Sequence, residues 1–192
     1  MKNNIILIWM PWSWKTTIAR FLSIVTWLAI LDIDNYMEDV TWKHVGDILL
    51  ELWDEKFLEF EKNMTLSVDV ENTIISCSWS NPLKQEAINF LRKSWKVIYL
   101  NTPTEVITKR LGSMKVERIV GMKPWVTLED ILKYRKTFYD ISYDYIFENE
   151  WEKSKKETFF NFIEFIKTIP ELNIKINENM LKSINKKYEN FI

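Results

Sequence analysis

The chain has 192 residues, a formal net charge of −1, 47% hydrophobic and 28% charged residues, and one Cys. That length supports one sizeable core, either a single domain or a domain with an appendage. The near-neutral balance excludes the basic stripe of a nucleic-acid binder, a single Cys excludes an intramolecular disulfide framework and suits the cytoplasm, and neither a signal-type N-terminus nor a membrane-length apolar run of ~18 residues is present.

In chain order, residues 4–8 form a short β-branched apolar run that reads as a buried parallel strand. Residues 16–26 follow with helical periodicity (Ile18, Phe21, Leu22, Val25), and residues 28–33 read as a second strand running into the acidic cluster Asp32, Asp34 and Glu38. Residues 45–70 are expected to be largely helical. A third strand is expected at 73–77, a helix at 84–93, a fourth strand at 97–100 and a helix at 104–111. A basic irregular segment occupies 115–125, followed by a helix at 128–139 and a fifth, shorter strand at 143–147. Helical patterns close the chain at 157–168 and 177–191. This alternation predicts an α/β fold, a parallel sheet covered on both faces with its site at the strand C-terminal ends. The expected division is a domain over 1–168, with a lid at about 112–126, and a C-terminal helical extension over 169–192. The last helix is expected to pack on the domain of a monomer, with a dimer contact as the alternative.

The composition has one anomaly. Gly occurs 3 times and Trp 10 times, whereas average usage predicts roughly 13 glycines in a chain of this length. The tryptophans occupy glycine positions: Trp27 and Trp95 stand between a helix and a strand, where a left-handed residue ends the helix. Trp125 follows Pro124, Trp79 lies between two serines, and Trp9, Trp12 and Trp14 crowd one turn. Reading every Trp as Gly turns the N-terminal segment into IILIGMPGSGKTTIAR. The working reading is a frame that uses UGA for glycine, as some bacterial lineages do, translated with UGA as tryptophan.

Strand, then WMPWSWKT, then helix is the frame of the phosphate-binding pattern G-x-x-x-x-G-K-[ST] at positions 9–16. Consecutive backbone N–H groups must wrap a phosphate, which requires conformations that a Cβ forbids, and a helix N-terminus adds its positive dipole end. Trp12, Ser13, Trp14, Lys15, Thr16 and Thr17 are therefore the expected ATP-binding residues. Lys15 would reach the β- and γ-phosphates, and the Thr16 hydroxyl would hold Mg²⁺. Asp32 and Asp34, two apart at a strand end, can divide the work: one carboxylate for the metal and one to take the acceptor hydroxyl's proton. The alternative for this pair is a solvated cap on the next helix.

With these residues in place the chain resembles shikimate kinase and its relatives over roughly 4–147. The resemblance rests on Lys15-Thr16-Thr17, Asp32-x-Asp34 with Glu38, SCSWS at 76–80, VIYLNTP at 97–103 and YRKTFYD at 134–140. It implies a three-layer α/β/α fold with a five-stranded parallel sheet and a lid. It also implies ATP-dependent, Mg²⁺-assisted phosphorylation of a hydroxyl on a small hydroxy carboxylic acid, shikimate first. Carried over by position, Lys15 serves the phosphates as a catalytic residue and Thr16 and Asp32 serve Mg²⁺. Asp34 binds the acceptor as the second catalytic residue, Trp79 and Ser80 occupy the acceptor turn, Arg135 holds the substrate carboxylate, and Arg118 closes on ATP from the lid. Three positions depart from the family. The family's Phe-Arg-x-x-Glu segment, whose arginine grips the substrate carboxylate, reads Phe57-Leu58-Glu59-Phe60-Glu61, the triple-glycine turn reads Ser78-Trp79-Ser80, and the lid reads ERIVGM. The alternatives are another P-loop sugar-acid or nucleoside kinase, for which the Cys-Ser turn followed by Lys84 offers a gluconate-kinase-like feature, and a non-catalytic ATP-binding module. Cys77 reads as a small buried residue and His44, the sole histidine, as exposed.

Overall fold

The computed structural model describes residues 3–10, 15–111, 119–121, 125–149, 154–172 and 174–189. Five strands form one sheet: β1 (Asn4–Trp9), β2 (Ala29–Asp32), β3 (Thr73–Ser76), β4 (Trp95–Asn101) and β5 (Tyr145–Glu148). Their order is β2-β3-β1-β4-β5 and every neighbouring pair is parallel. β1 holds the centre because all six of its residues are buried, as an unbroken apolar run demands of a strand covered on both sides.

The strand alternation divides the core in two. Ile6, Ile8 and Met10 face one side, where they pack with Met37, Ile48, Leu49, Phe57, Leu132 and Tyr139. Ile5, Leu7 and Trp9 face the other, against Ile18, Leu22, Val25, Phe159, Phe162 and Ile163. The first side is covered by α2 (Ile33–Thr41), α3 (Val45–Leu66), α4 (Gln85–Ser94), α5 (Thr104–Leu111) and α6 (Leu128–Tyr139). The second is covered by α1 (Lys15–Thr26), α7 (Lys155–Lys167) and α8 (Glu178–Glu189). The fold is thus a three-layer α/β/α sandwich around a five-stranded parallel sheet. On α8, Leu181 is buried and Met180 and Ile184 pack against the same core as α1. The Asn177 N–H donates to Val25 O, pinning the chain entering α8 to the end of α1. Among the described residues no helix is long and apolar enough to cross a membrane.

Two expectations need correcting. The second strand stops at Asp32, and residues 33–41 are a helix that the strand pattern concealed. The Asp32 side chain accepts from the Asp34 N–H at 3.1 Å and caps α2, so Asp34 lies in the first helical turn rather than alternating along a strand. Trp95 is not a left-handed helix end. It is extended at φ −175° because pairing opposite Asn4 draws it into β4 immediately after Ser94. Trp27 does end α1 with a positive φ of 62°, its N–H donating to Ser23 O. Trp42 ends α2 in the left-handed region at φ 58°, ψ 28°. Trp53 breaks α3 with φ 62°, ψ 169°. That combination is one that side chains essentially never adopt and glycine does.

Candidate active site

The C-terminal ends of three adjacent strands define the site. β1 ends at Trp9 and hands over to α1, whose first residue is Lys15. The phosphate-loop residues Trp12, Ser13 and Trp14, and the lid residue Arg118, lie outside the described residues, as does the Lys15 side chain. Thr16 is exposed in the first turn of α1 and Thr17 is half-buried beside it. β2 ends at Asp32, whose Oδ2 accepts from Ser76 Oγ at 2.7 Å, so the carboxylate is held by the end of the neighbouring strand β3 as well as by its cap on α2.

A cavity of about 210 Å³ opens at the same edge, below the ~300–1,000 Å³ of drug-sized sites. Asp34 from α2, Glu61 from α3, Ser78, Trp79 and Ser80 from the turn after β3, and Arg135 from α6 all line it. The expected acceptor residues Asp34, Trp79, Ser80 and Arg135 therefore share one small chamber. Apolar walls come from Leu49, Phe57, Ile119 and Val120.

Glu61 is the residue to which the sequence reading gave no role, although it closes the Phe57-Leu58-Glu59-Phe60-Glu61 segment. It follows Phe57 by four residues and precedes Thr65 by four, so one helix face carries an aromatic, a carboxylate and a hydroxyl into the interior. A charge on an apolar stripe was the available signal. Glu61 is 1% exposed, and its Oε1 accepts from Ser78 Oγ and, at 2.8 Å, from Ser80 Oγ. Asn81 extends the network: its Oδ1 accepts from the Ser78 N–H and its Nδ2 donates to Thr65 Oγ1. This web clamps the acceptor turn onto α3. Burial pushes the Glu61 carboxyl up to about 7, only partly opposed by the two serine hydroxyls, while Asp34 pushes further up and Arg135 pulls down.

Arg135 is 2% exposed. Its Nη2 donates to Val120 O at 3.0 Å and its Nη1 more loosely to Trp79 O at 3.4 Å. Burial lowers its pKa, with Tyr139 and Glu61 acting in the opposite direction. The Tyr139 hydroxyl donates to the carbonyls of Trp9 and Trp79, tying the end of β1 to the acceptor turn. Leu58 does not reach this chamber. It lines a neighbouring groove of about 660 Å³ with Lys84, Trp125 and Tyr134, and Lys84 there pairs with Glu59 at 3.4 Å. Cys77 is a buried thiol in no disulfide, and exposed His44 stands at the start of α3 with Nδ1 3.3 Å from Glu38 Oε1.

No group of three or more His, Cys, Asp or Glu side chains is assembled among the described residues. The donor types expected for a metal are one carboxylate, Asp32 at the end of β2, and one hydroxyl, Thr16 in the first turn of α1. That set fits Mg²⁺, which keeps several waters and binds through one or two carboxylates plus phosphate oxygens.

Comparison with known proteins agrees with this geometry. The shikimate kinase family profile matches residues 13–167. Threonine synthase-like 1 of Mus musculus is 34% identical over 143 residues, and its Homo sapiens counterpart is 32% identical over the same length. The match covers 74% of this chain and 19% of those proteins, so the chain spans about a fifth of the length of these relatives. Shikimate kinase of Clostridium botulinum is 29% identical over 155 residues, covering 79% of this chain and 91% of that one. Among solved structures, shikimate kinase from Bacteroides thetaiotaomicron superposes with a TM-score of 0.71 at 26% identity, covering 85% of this chain and 98% of that chain. The Acinetobacter baumannii enzyme in complex with shikimate shares the fold with a TM-score of 0.69 at 21% identity, covering 87% and 94%. A cavity at the strand ends that joins Asp34 to Arg135, behind a Lys-Thr-Thr helix start, thus accompanies a profile match over most of the chain, and the chain belongs to the shikimate kinase family of P-loop small-molecule kinases.

Proposed function

We propose that this chain transfers the γ-phosphate of ATP to a hydroxyl of a small hydroxy carboxylic acid. The observation that carries the reading is the shared chamber of Asp34 and Arg135 at the sheet edge where α1 begins. Arg135 orients the acceptor through its carboxylate, as a guanidinium fork suits. Asp34 takes the proton of the acceptor hydroxyl as that oxygen bonds to the γ-phosphorus, and the bond from phosphorus to the bridging oxygen breaks to release ADP. Lys15 and the N–H groups opening α1 hold the phosphates, with Arg118 closing from the lid. Thr16 and Asp32 would hold Mg²⁺, which neutralises phosphate charge. Within this class shikimate is the acceptor the family points to. The position of Leu58 outside the chamber leaves the carboxylate to Arg135 alone. The apolar face of α8, covered by its own domain, favours a monomer, and the one buried thiol suits a reducing cytoplasm.

The ten tryptophans belong to the same reading: the working protein carries glycine at these positions, encoded by UGA. Three observations support it. Trp27, Trp42 and Trp53 have φ of 62°, 58° and 62°, and Trp42 is 92% exposed, so no burial of its indole compensates the backbone. Trp9, Trp12 and Trp14 fall on the phosphate pattern, where Cβ atoms obstruct the cradle.

The test is a hydroxy-acid panel that includes shikimate, run on the chain as written and on the form with all ten Trp→Gly changes, read by ³¹P NMR for a new phosphate ester. ATP binding without ester formation on any acceptor would reduce the protein to a nucleotide-binding module. Peptide mass spectrometry of protein from its native source is expected to show Gly at 9, 12 and 14; Trp at those positions would overturn the codon reading.

A further inference from the structure

We infer that the acceptor is a zwitterion: a small hydroxy compound carrying a protonated amine as well as its carboxylate, the amine seated on Glu61. The inference rests on the phosphotransfer reading above and narrows it. Two observations converge. Among the described residues the chamber has three ionisable side chains, Asp34, Glu61 and Arg135, two of them carboxyl groups. An acceptor offering only a carboxylate would pair with Arg135 and leave Glu61 Oε2 without a partner.

The hydrogen-bond inventory points the same way. Glu61 Oε1 already accepts from Ser78 and Ser80, yet Oε2 has no partner among the described residues although the side chain is 1% exposed. Arg135 Nε likewise has none, although the residue is 2% exposed. A guanidinium has five N–H donors; two are directed at the carbonyls of Val120 and Trp79, which leaves the Nε edge for a carboxylate. Buried polar groups are nearly always paired, and each unpaired one is costly until a partner arrives. The chamber thus holds an unused acceptor on one residue, an unused donor on another, and in Asp34 a second carboxyl group, the proposed base for a hydroxyl. An amine, a carboxylate and a hydroxyl on one small skeleton complete all three. Asp34 repels an ionised Glu61, and a bound ammonium offsets that repulsion.

Matched pairs test this: L-homoserine against 4-hydroxybutyrate, and L-serine against 3-hydroxypropionate, with shikimate as the family reference. Phosphate-ester formation is followed by ³¹P NMR and steady-state kinetics, and binding by calorimetry, on the chain as written and with all ten Trp→Gly changes. The expected result is a kcat/KM at least tenfold higher for the amine-bearing member of a pair, a preference that Glu61→Gln reduces to threefold or less. Phosphorylation of shikimate or the des-amino acids as good as or better than that of the amino acids overturns the inference and leaves the kinase reading standing. Binding of an amino acid with no transfer to any acceptor overturns the kinase reading and supports the amine seat. Neither binding nor transfer across the panel overturns both.

Discussion

The nucleotide end and the acceptor end of the site are built on different principles. On the proposed reading the nucleotide end is one contiguous stretch of sequence, residues 9–17, and would work through backbone N–H groups and a helix start with Lys15 and Thr16 adjacent. The acceptor end draws Asp34, Glu61, Ser78, Ser80 and Arg135 from four separate segments and works through side chains in a buried chamber. A contiguous backbone device is difficult to alter without losing its ligand. A chamber of converging side chains can change its charge by one substitution while the sheet beneath is untouched, and Glu61, whose Oε2 has no partner among the described residues, is one such position.

The contrast can be broken or sharpened by experiment. The largest effect is expected for Asp34→Asn, which should lower the transfer rate by about 10²- to 10⁴-fold, the usual loss for a general base, while the calorimetric ATP affinity holds. A parallel loss of ATP affinity would show that the two ends are not separable. Next comes the pH dependence of stability. Glu61 ionises at 4.5 in the unfolded chain and at about 7 in the fold, so the folded state binds the extra proton between those values. The Glu61 contribution to stability should therefore be greatest below pH 4.5, fall by about 3 kcal/mol as pH rises to about 7, and then level off. Urea titrations of Glu61→Gln across that window should lack this component.

Arg135→Lys keeps the charge but not the planar fork, and should raise the acceptor KM by roughly 10- to 100-fold, corresponding to about 1.5–3 kcal/mol, with a smaller change in kcat. An unchanged KM would remove Arg135 from carboxylate binding. Tyr139→Phe deletes the hydroxyl that ties the Trp9 carbonyl at the end of β1 to the Trp79 carbonyl of the acceptor turn, and should cost about 1–3 kcal/mol in chemical denaturation. The smallest effect is a gain. Trp53→Gly should relieve a glycine-only backbone conformation worth about 1–3 kcal/mol, less the roughly 0.5–1 kcal/mol of added chain entropy, and so raise the melting temperature by a few degrees.

Most of the fold was legible in the residue pattern, and the misses have identifiable causes. β1, β3 and β4 are continuous apolar runs, and α1, α4 and α6 keep helical spacing, so their types followed from periodicity alone. α2 was hidden because Ile33 prolongs the apolar run of β2, and only the Asp32 side chain, turned back onto the Asp34 N–H, ends the strand. Trp95 looked like a helix end because it lies between a helix and a strand; pairing with β1 made it the first residue of the strand instead. Asp34 and Arg135 were visible through their motifs. Glu61 stood in the Phe57-to-Glu61 segment without a role, because its role depends on Ser78 and Ser80, which reach it only after the chain has passed through β3.

By itself the sequence determined the alternation of strands and helices and the phosphate-loop frame, and it marked Trp27, though not Trp42 or Trp53, as standing where φ is positive. These are local properties, set by side-chain period and by which residues tolerate a positive φ. The tertiary structure alone decided the charge of the acceptor chamber, the unpaired atoms on Glu61 and Arg135, and the exclusion of Leu58 from it. Those depend on which groups share a low-dielectric space, and no spacing along the chain specifies that.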